Sequence, residues 1–148
     1  MKATILISVF ASLIFSVNIN AKNVKTYVNI EDRKSSLEKE YISLDKETLK
    51  PILKEYYLYD YAGNIQEKIV SKWSDRGGWI NYFKYAYSYL ENGKVANVTF
   101  TEWNTPKNTW SDKSDFLIHL YDDNSEFLSV KKIEIDNNID DFNLVSQK

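Results

Sequence analysis

A thirty-residue self-similarity constrains this chain more than any other feature. Tyr59, Gly63, Ile65 and Trp73 recur as Tyr89, Gly93, Val95 and Trp103, each thirty residues on, and Trp79 recurs as Trp110. A third copy begins at Tyr121, with Ser125 in the glycine slot and Phe127 in the slot of Ile65 and Val95, and it lacks the tryptophans. Repetition at such a period signals stacked supersecondary units, each covering part of its neighbour's apolar surface.

Each unit reads as a β-hairpin. Phe83, Tyr85, Tyr87 and Tyr89 alternate along one stretch, and Ala96, Val98 and Phe100 alternate along the next. Period-two alternation marks strands with one buried face. Taking Asn92-Gly93 as a two-residue primed turn sets Tyr89 opposite Ala96, Tyr87 opposite Val98 and Tyr85 opposite Phe100. The other face then carries Lys84, Ser88, Asn97, Thr99 and Thr101. Strands are expected near 52–59, 64–73, 79–89, 94–103, 110–121 and 126–135, with tight turns alternating with longer loops flanked by tryptophans. Upstream, Val24–Ile30 reads as a strand, and residues 37–44 fit either a helical stripe or a strand.

The ends set the context. Met1-Lys2, an apolar run from Ala3 to Val17 and a small residue at Ala21 have the form of a secretory signal peptide, with cleavage expected after Ala21. The remaining residues 22–148 suit one β-repeat domain. Export to the periplasm or the extracellular space is the expectation, and no later run is long enough to span a bilayer as a helix. The chain has no cysteine, which excludes structural disulfides, a cysteine nucleophile and the modified cysteine of a lipoprotein. Its 19 basic and 21 acidic residues give a net charge of −2, with no basic surplus for nucleic acid.

An exported start, turns of the form Tyr59-Asp-Tyr-Ala-Gly63, and paired tryptophans followed by a Tyr-rich strand together resemble a family of exported Bacteroides-type proteins known as a domain of unknown function. The resemblance covers residues 22–135. It implies a strand rather than a helix over 37–44, where the family has a short hairpin, and it implies no activity. The expected fold is therefore all-β: an antiparallel meander of about three hairpin units after a short N-terminal hairpin, either a curved sheet or a small sandwich.

Catalytic signatures are sparse. His119 is the single histidine and falls in the slot of Tyr57 and Tyr87, so it reads as a member of the aromatic row; one histidine supplies neither a multi-histidine zinc site nor, without a Gly-x-Ser-x-Gly elbow, a hydrolase triad. Asp136, Asn138 and Asp140 have the spacing of a calcium loop, but Asp141 replaces its glycine and Gln147 its bidentate glutamate. No metal and no cofactor is expected. A carboxylate-dependent glycosidase would need two facing acids, for which Glu67 and Glu102 are the candidates.

Trp73, Trp79, Trp103 and Trp110 are the candidate ligand-binding residues. An exposed indole stacks on a sugar ring or holds a quaternary ammonium, whereas a packed one covers the end of a sheet. The leading expectation is a non-catalytic binding module for a glycan or another cell-surface ligand. The alternative is a structural or adhesive protein that meets itself or a surface protein through its sheet edges.

Overall fold

A computed structural model describes residues 23–33 and 35–137; the expected signal peptide, and the polar tail with Asn138 and Asp140, lie outside the described residues. The strands are β1 (Val24–Arg33), β2 (Ser36–Asp45), β3 (Pro51–Tyr59), β4 (Ile65–Ser74), β5 (Gly78–Tyr89), β6 (Val95–Asn104), β7 (Thr109–Trp110), β8 (Lys113–Tyr121) and β9 (Phe127–Asp136). They form one open antiparallel meander in the order β1-β2-β3-β4-β5-β6-β8-β9, with β7 continuing the ladder on β6. Among the described residues, packing contacts of any extent occur only between hydrogen-bonded neighbours, so these strands form a single layer and not a sandwich. Among the described residues no helix is long and apolar enough to cross a membrane.

The strand reading of 37–44 holds, since these residues lie within β2. The N-terminal hairpin is not short: β1 and β2 are ten-residue strands paired along their whole length, from Val24↔Asp45 to Arg33↔Ser36. The strand expected at 110–121 is interrupted at Ser111-Asp112, where the chain passes from β7 to β8.

Register divides the side chains between two faces. One is aromatic: Tyr57 pairs with Lys68, Lys68 with Tyr85, Tyr85 with Phe100, and the adjacent rung joins Tyr87 to Val98 and Val98 to Leu117. Its core is Leu53, Val70, Phe83, Tyr85, Val95 and Val98, with Val70 only 1% exposed. Burial this deep in a single layer comes from the rings themselves. Phe83 lies 5.5 Å from Tyr85 and 5.7 Å from Phe100, and Tyr41 meets Tyr57 edge-on at 5.6 Å, so large side chains lean over their smaller neighbours. Lys68 lies within this row, bonded at 2.8 Å to Glu55 and 5.0 Å from the Tyr57 ring centroid. Burial pulls its ammonium down, but hydrogen bonds to Glu55 and Tyr57 outweigh that and hold its pKa above the ordinary lysine value.

The repeat turns differ from the expected primed pair. Leu90 N–H donates to the Lys94 carbonyl (2.8 Å) and Gly93 N–H to the Leu90 carbonyl (2.9 Å), leaving Glu91, Asn92 and Gly93 as a three-residue loop. Gly93 has φ +80°, the left-handed residue that closes such a loop with a bulge. The bulge moves Tyr89 opposite Val95 instead of Ala96, while Tyr87↔Val98 and Tyr85↔Phe100 stand as expected. Asp60–Asn64 and Asp122–Glu126 repeat the same two bonds, with Gly63 at φ +84° and Ser125 at φ +63°.

A second device joins successive units. The Tyr89 hydroxyl donates to the Ile65 carbonyl at 2.7 Å, and the Tyr121 hydroxyl to the Val95 carbonyl at 2.8 Å. Each tyrosine reaches back to the residue that opens the second strand of the preceding hairpin. Thus the Tyr and Ile/Val landmarks of the repeat are the two ends of one contact.

Candidate ligand site on the tryptophan face

The opposite face carries all four tryptophans. Trp73 pairs directly across the ladder with Trp79, and Trp103 with Trp110. Both pairs meet edge to face, at 5.3 Å and 78° and at 5.0 Å and 85°. The turns between them are compact, with Ser74 paired to Gly78 and Asn104 to Thr109, so the expected loops are the tips of hairpins. Trp73 is 37% exposed and the other three are part-buried. The indole N–H of Trp103 is buried and has no hydrogen-bond partner among the described residues.

A lysine accompanies each pair. The Lys54 ammonium lies 5.3 Å from the Trp79 ring centroid and that of Lys84 lies 4.8 Å from Trp110, thirty residues later in the chain. A cation over the indole satisfies the ring's negative face from within the protein. That leaves less for a quaternary ammonium ligand and more for groups that a lysine donates to.

The two units then diverge. In the first, the cross-strand pair beside the lysine is Tyr56 with Ile69; thirty residues on, the same positions hold Ala86 and Thr99. In the first unit Ser71 bonds Asn81 at 3.0 Å, whereas Thr101 bonds Ser114 at 2.6 Å and Asp112 pairs with Lys107 at 2.8 Å. Small floor residues underlie a shallow depression of about 390 Å³. Its floor is Ala86, Thr99 and Thr101, its wall Trp110, and its rim Lys84 and Asp112. Asn137 closes one side, its amide donating to the Ser111 carbonyl (2.9 Å) and to the Ser114 hydroxyl (2.8 Å).

Among the four tryptophans, then, Trp110 lines the depression, with Trp103 behind it, while Trp73 and Trp79 stand at the tip of the preceding hairpin. Sequence reasoning missed Ala86, Asp112 and Asn137 altogether, and placed Lys84, Thr99 and Thr101 on this face without a role. The signal was available in the repeat: bulky Tyr56 and Ile69 are replaced by Ala86 and Thr99 at the same spacing as the tryptophans.

Other candidates fall elsewhere. Glu67 pairs with Ala86 on the tryptophan face, whereas Glu102 pairs with Phe83 on the aromatic face, so this carboxylate pair is divided by the sheet. His119 lies on β8 with its ring 6.0 Å from Phe127, and burial pushes its imidazole below the ordinary value. Among the described residues no group of three or more His, Cys, Asp or Glu is placed to hold a metal ion.

Neither a protein-family model nor a curated protein matches the chain. Solved structures similar to it include a DUF3836 family protein from Parabacteroides distasonis, at 14% identity and TM-score 0.37 over 77% of this chain and 92% of that one. A DUF3836 family protein from Bacteroides vulgatus gives 16% and 0.41 over 75% and 98%. A protein with unknown function from Bacteroides fragilis gives 17% and 0.45 over 77% and 84%.

Proposed function

We propose that this chain is an exported, non-catalytic binding module that holds a sugar unit of a surface glycan in the depression beside Trp110. The observation that carries this reading is the exchange of Tyr56–Ile69 for Ala86–Thr99 within an otherwise repeated arrangement, which sets small side chains beneath the depression where the preceding unit has bulky ones. A pocket of about 390 Å³ is of the size that accommodates a small ligand. An indole wall, the Thr99 hydroxyl and the Lys84 ammonium match a pyranose, which has an apolar ring face and hydroxyls that both donate and accept.

Binding rather than hydrolysis is supported by the lining. Asp112 is the one carboxylate among the described residues that border the depression, and it is ion-paired with Lys107 at 2.8 Å. Hydrolysis needs two carboxyl groups flanking the bond. The signal-like start and the absence of cysteine support export as an unlipidated protein.

The test is titration with a panel of soluble neutral and acidic glycans, read by tryptophan fluorescence. The wild type is compared with Trp110→Ala and with an Ala86→Tyr/Thr99→Ile variant that restores the first unit's floor. A glycan that binds the wild type, and binds both variants more than about tenfold more weakly, supports the proposal; tenfold corresponds to about 1.4 kcal/mol. Indifference of the wild type to the whole panel, or full binding by the filled variant, overturns it.

A further inference from the structure

The meander is open, and its two edges are long. The strands β1 and β9 are each ten residues, and among the described residues each has one side of its backbone donors and acceptors without a strand partner. Both also expose large apolar side chains: Ile30 is 63% exposed and Tyr27 45%, against 37% for Val130 and 38% for Ile133. Long edges that expose apolar side chains among charged ones offer templates for pairing with a strand of complementary pattern.

We propose that copies of this chain associate head to tail, β9 of one copy adding to β1 of the next. Strand direction permits it, because β1 and β9 stand at opposite ends of an alternating path of eight hydrogen-bonded positions and run antiparallel. Full-length register would join Phe127 to Arg33 at one end and Asp136 to Val24 at the other. It also matches the faces. Val130 pairs with His119 and Ile30 with Lys39, both on the aromatic face, and full register sets Val130 against Ile30. Ile133 pairs with Phe116 and Tyr27 with Ile42, both on the tryptophan face, and the same register sets Ile133 against Tyr27. Lys131 comes opposite Asn29, one diagonal step from Glu31, within reach of a favourable cross-strand pair.

Like edges match less well. Two β9 strands paired about a two-fold axis keep like faces together, so their nearest registers centre on Lys131 against Lys131 or Lys132 against Lys132, which is repulsive. Two β1 strands have to slip by one residue from full length to bring like faces together. Head-to-tail contact does not close on itself within two copies, so it generates assemblies larger than a dimer.

Sedimentation velocity over a concentration series, without added sugar, tests this with two edge variants and their mixture. Ile30→Lys blocks β1 and Val130→Lys blocks β9; both side chains are exposed, and unchanged far-ultraviolet circular dichroism confirms that each variant folds. The wild type is expected to grow past dimer with concentration and each variant alone to stay monomeric. The one-to-one mixture is expected to form a heterodimer and nothing larger, because one free β9 remains to meet one free β1. A wild type that is monomeric throughout overturns the proposal. So does Val130→Lys dimerising on its own, which is the signature of β1 pairing with β1.

Discussion

The three repeat turns share one hydrogen-bonding pattern but hold two residue types at the left-handed position, so substitutions there are expected to change stability in opposite directions. A Cβ built at Gly93 meets nothing within 4 Å, and the same is true at Gly63. The cost of Gly93→Ala is therefore conformational and not steric with neighbours. Placing an L-residue in the left-handed region costs about 1–2 kcal/mol, partly offset by the lower entropy of the unfolded alanine chain, about 0.4–1 kcal/mol. A net loss of about 1 kcal/mol follows. Ser125 already bears that strain at φ +63°, and its carbonyl, not its side chain, receives the Lys94 ammonium. Ser125→Gly is then expected to gain about 0.5–1 kcal/mol by the same two opposing effects. For a domain of this size 1 kcal/mol moves the melting temperature by about 4 °C, so calorimetry should place Gly93→Ala about 4 °C below the wild type and Ser125→Gly about 2–4 °C above it. A Ser125→Gly protein that melts at or below the wild type refutes the reasoning that turn strain, and not a serine contact, governs this position.

Tyr89→Phe and Tyr121→Phe each remove one hydroxyl bond to a carbonyl of the preceding hairpin, and urea denaturation should show a loss of about 1 kcal/mol for each. The two sites lie in successive units, so the double variant should lose nearly the sum. Alkaline pH is expected to destabilise the fold: burial raises Tyr57, Tyr59, Tyr85, Tyr87 and Tyr89 above the ordinary phenol value. Above pH ~10 the unfolded tyrosines ionise while the folded ones keep their protons, so the folded state binds more protons and stability falls as pH rises. Melting temperature against pH should therefore decline from about pH 10 upward, with the loss of the raised Lys68 acting in the same direction; a flat profile to pH 12 counts against the buried aromatic row. Glu55→Gln removes the carboxylate partner of buried Lys68, and chemical denaturation should show a clear loss that Glu55→Asp partly restores.

The strands were legible because each unit carries its alternation and its landmarks in consecutive residues. The turn type was not. Asn92-Gly93 has the residue types of a two-residue primed turn, yet Leu90 bonds to Lys94, and the tightest closure available to that pair is a three-residue loop. No composition rule separates the two closures, because both need a left-handed residue at Gly93. The length of β1 was also hidden. Its polar Asn29, Glu31 and Asp32 look like a strand ending, whereas in the sheet they stand opposite Glu40, Glu38 and Leu37 on a fully paired neighbour. The tryptophans advertised the candidate site, but its floor is made by side chains that are small. Ala86 and Thr99 acquire meaning only when register sets them against each other and the repeat sets them against Tyr56 and Ile69.

That substitution bears on what the sheet is for. A single layer without disulfides has little apolar area to spare, and filling the second unit's floor with tyrosine and isoleucine would bury more of it, as the first unit does. The chain instead keeps Ala86 and Thr99 there. Around the opening it retains the edge-to-face Trp103–Trp110 pair, the Thr101–Ser114 bond and the Asn137 clasp, which hold the walls around these small side chains. Under the proposed binding role, packing withheld at one place and reinforced around it keeps the site preformed, since a site that collapses when empty has to be reopened by the ligand's own binding energy.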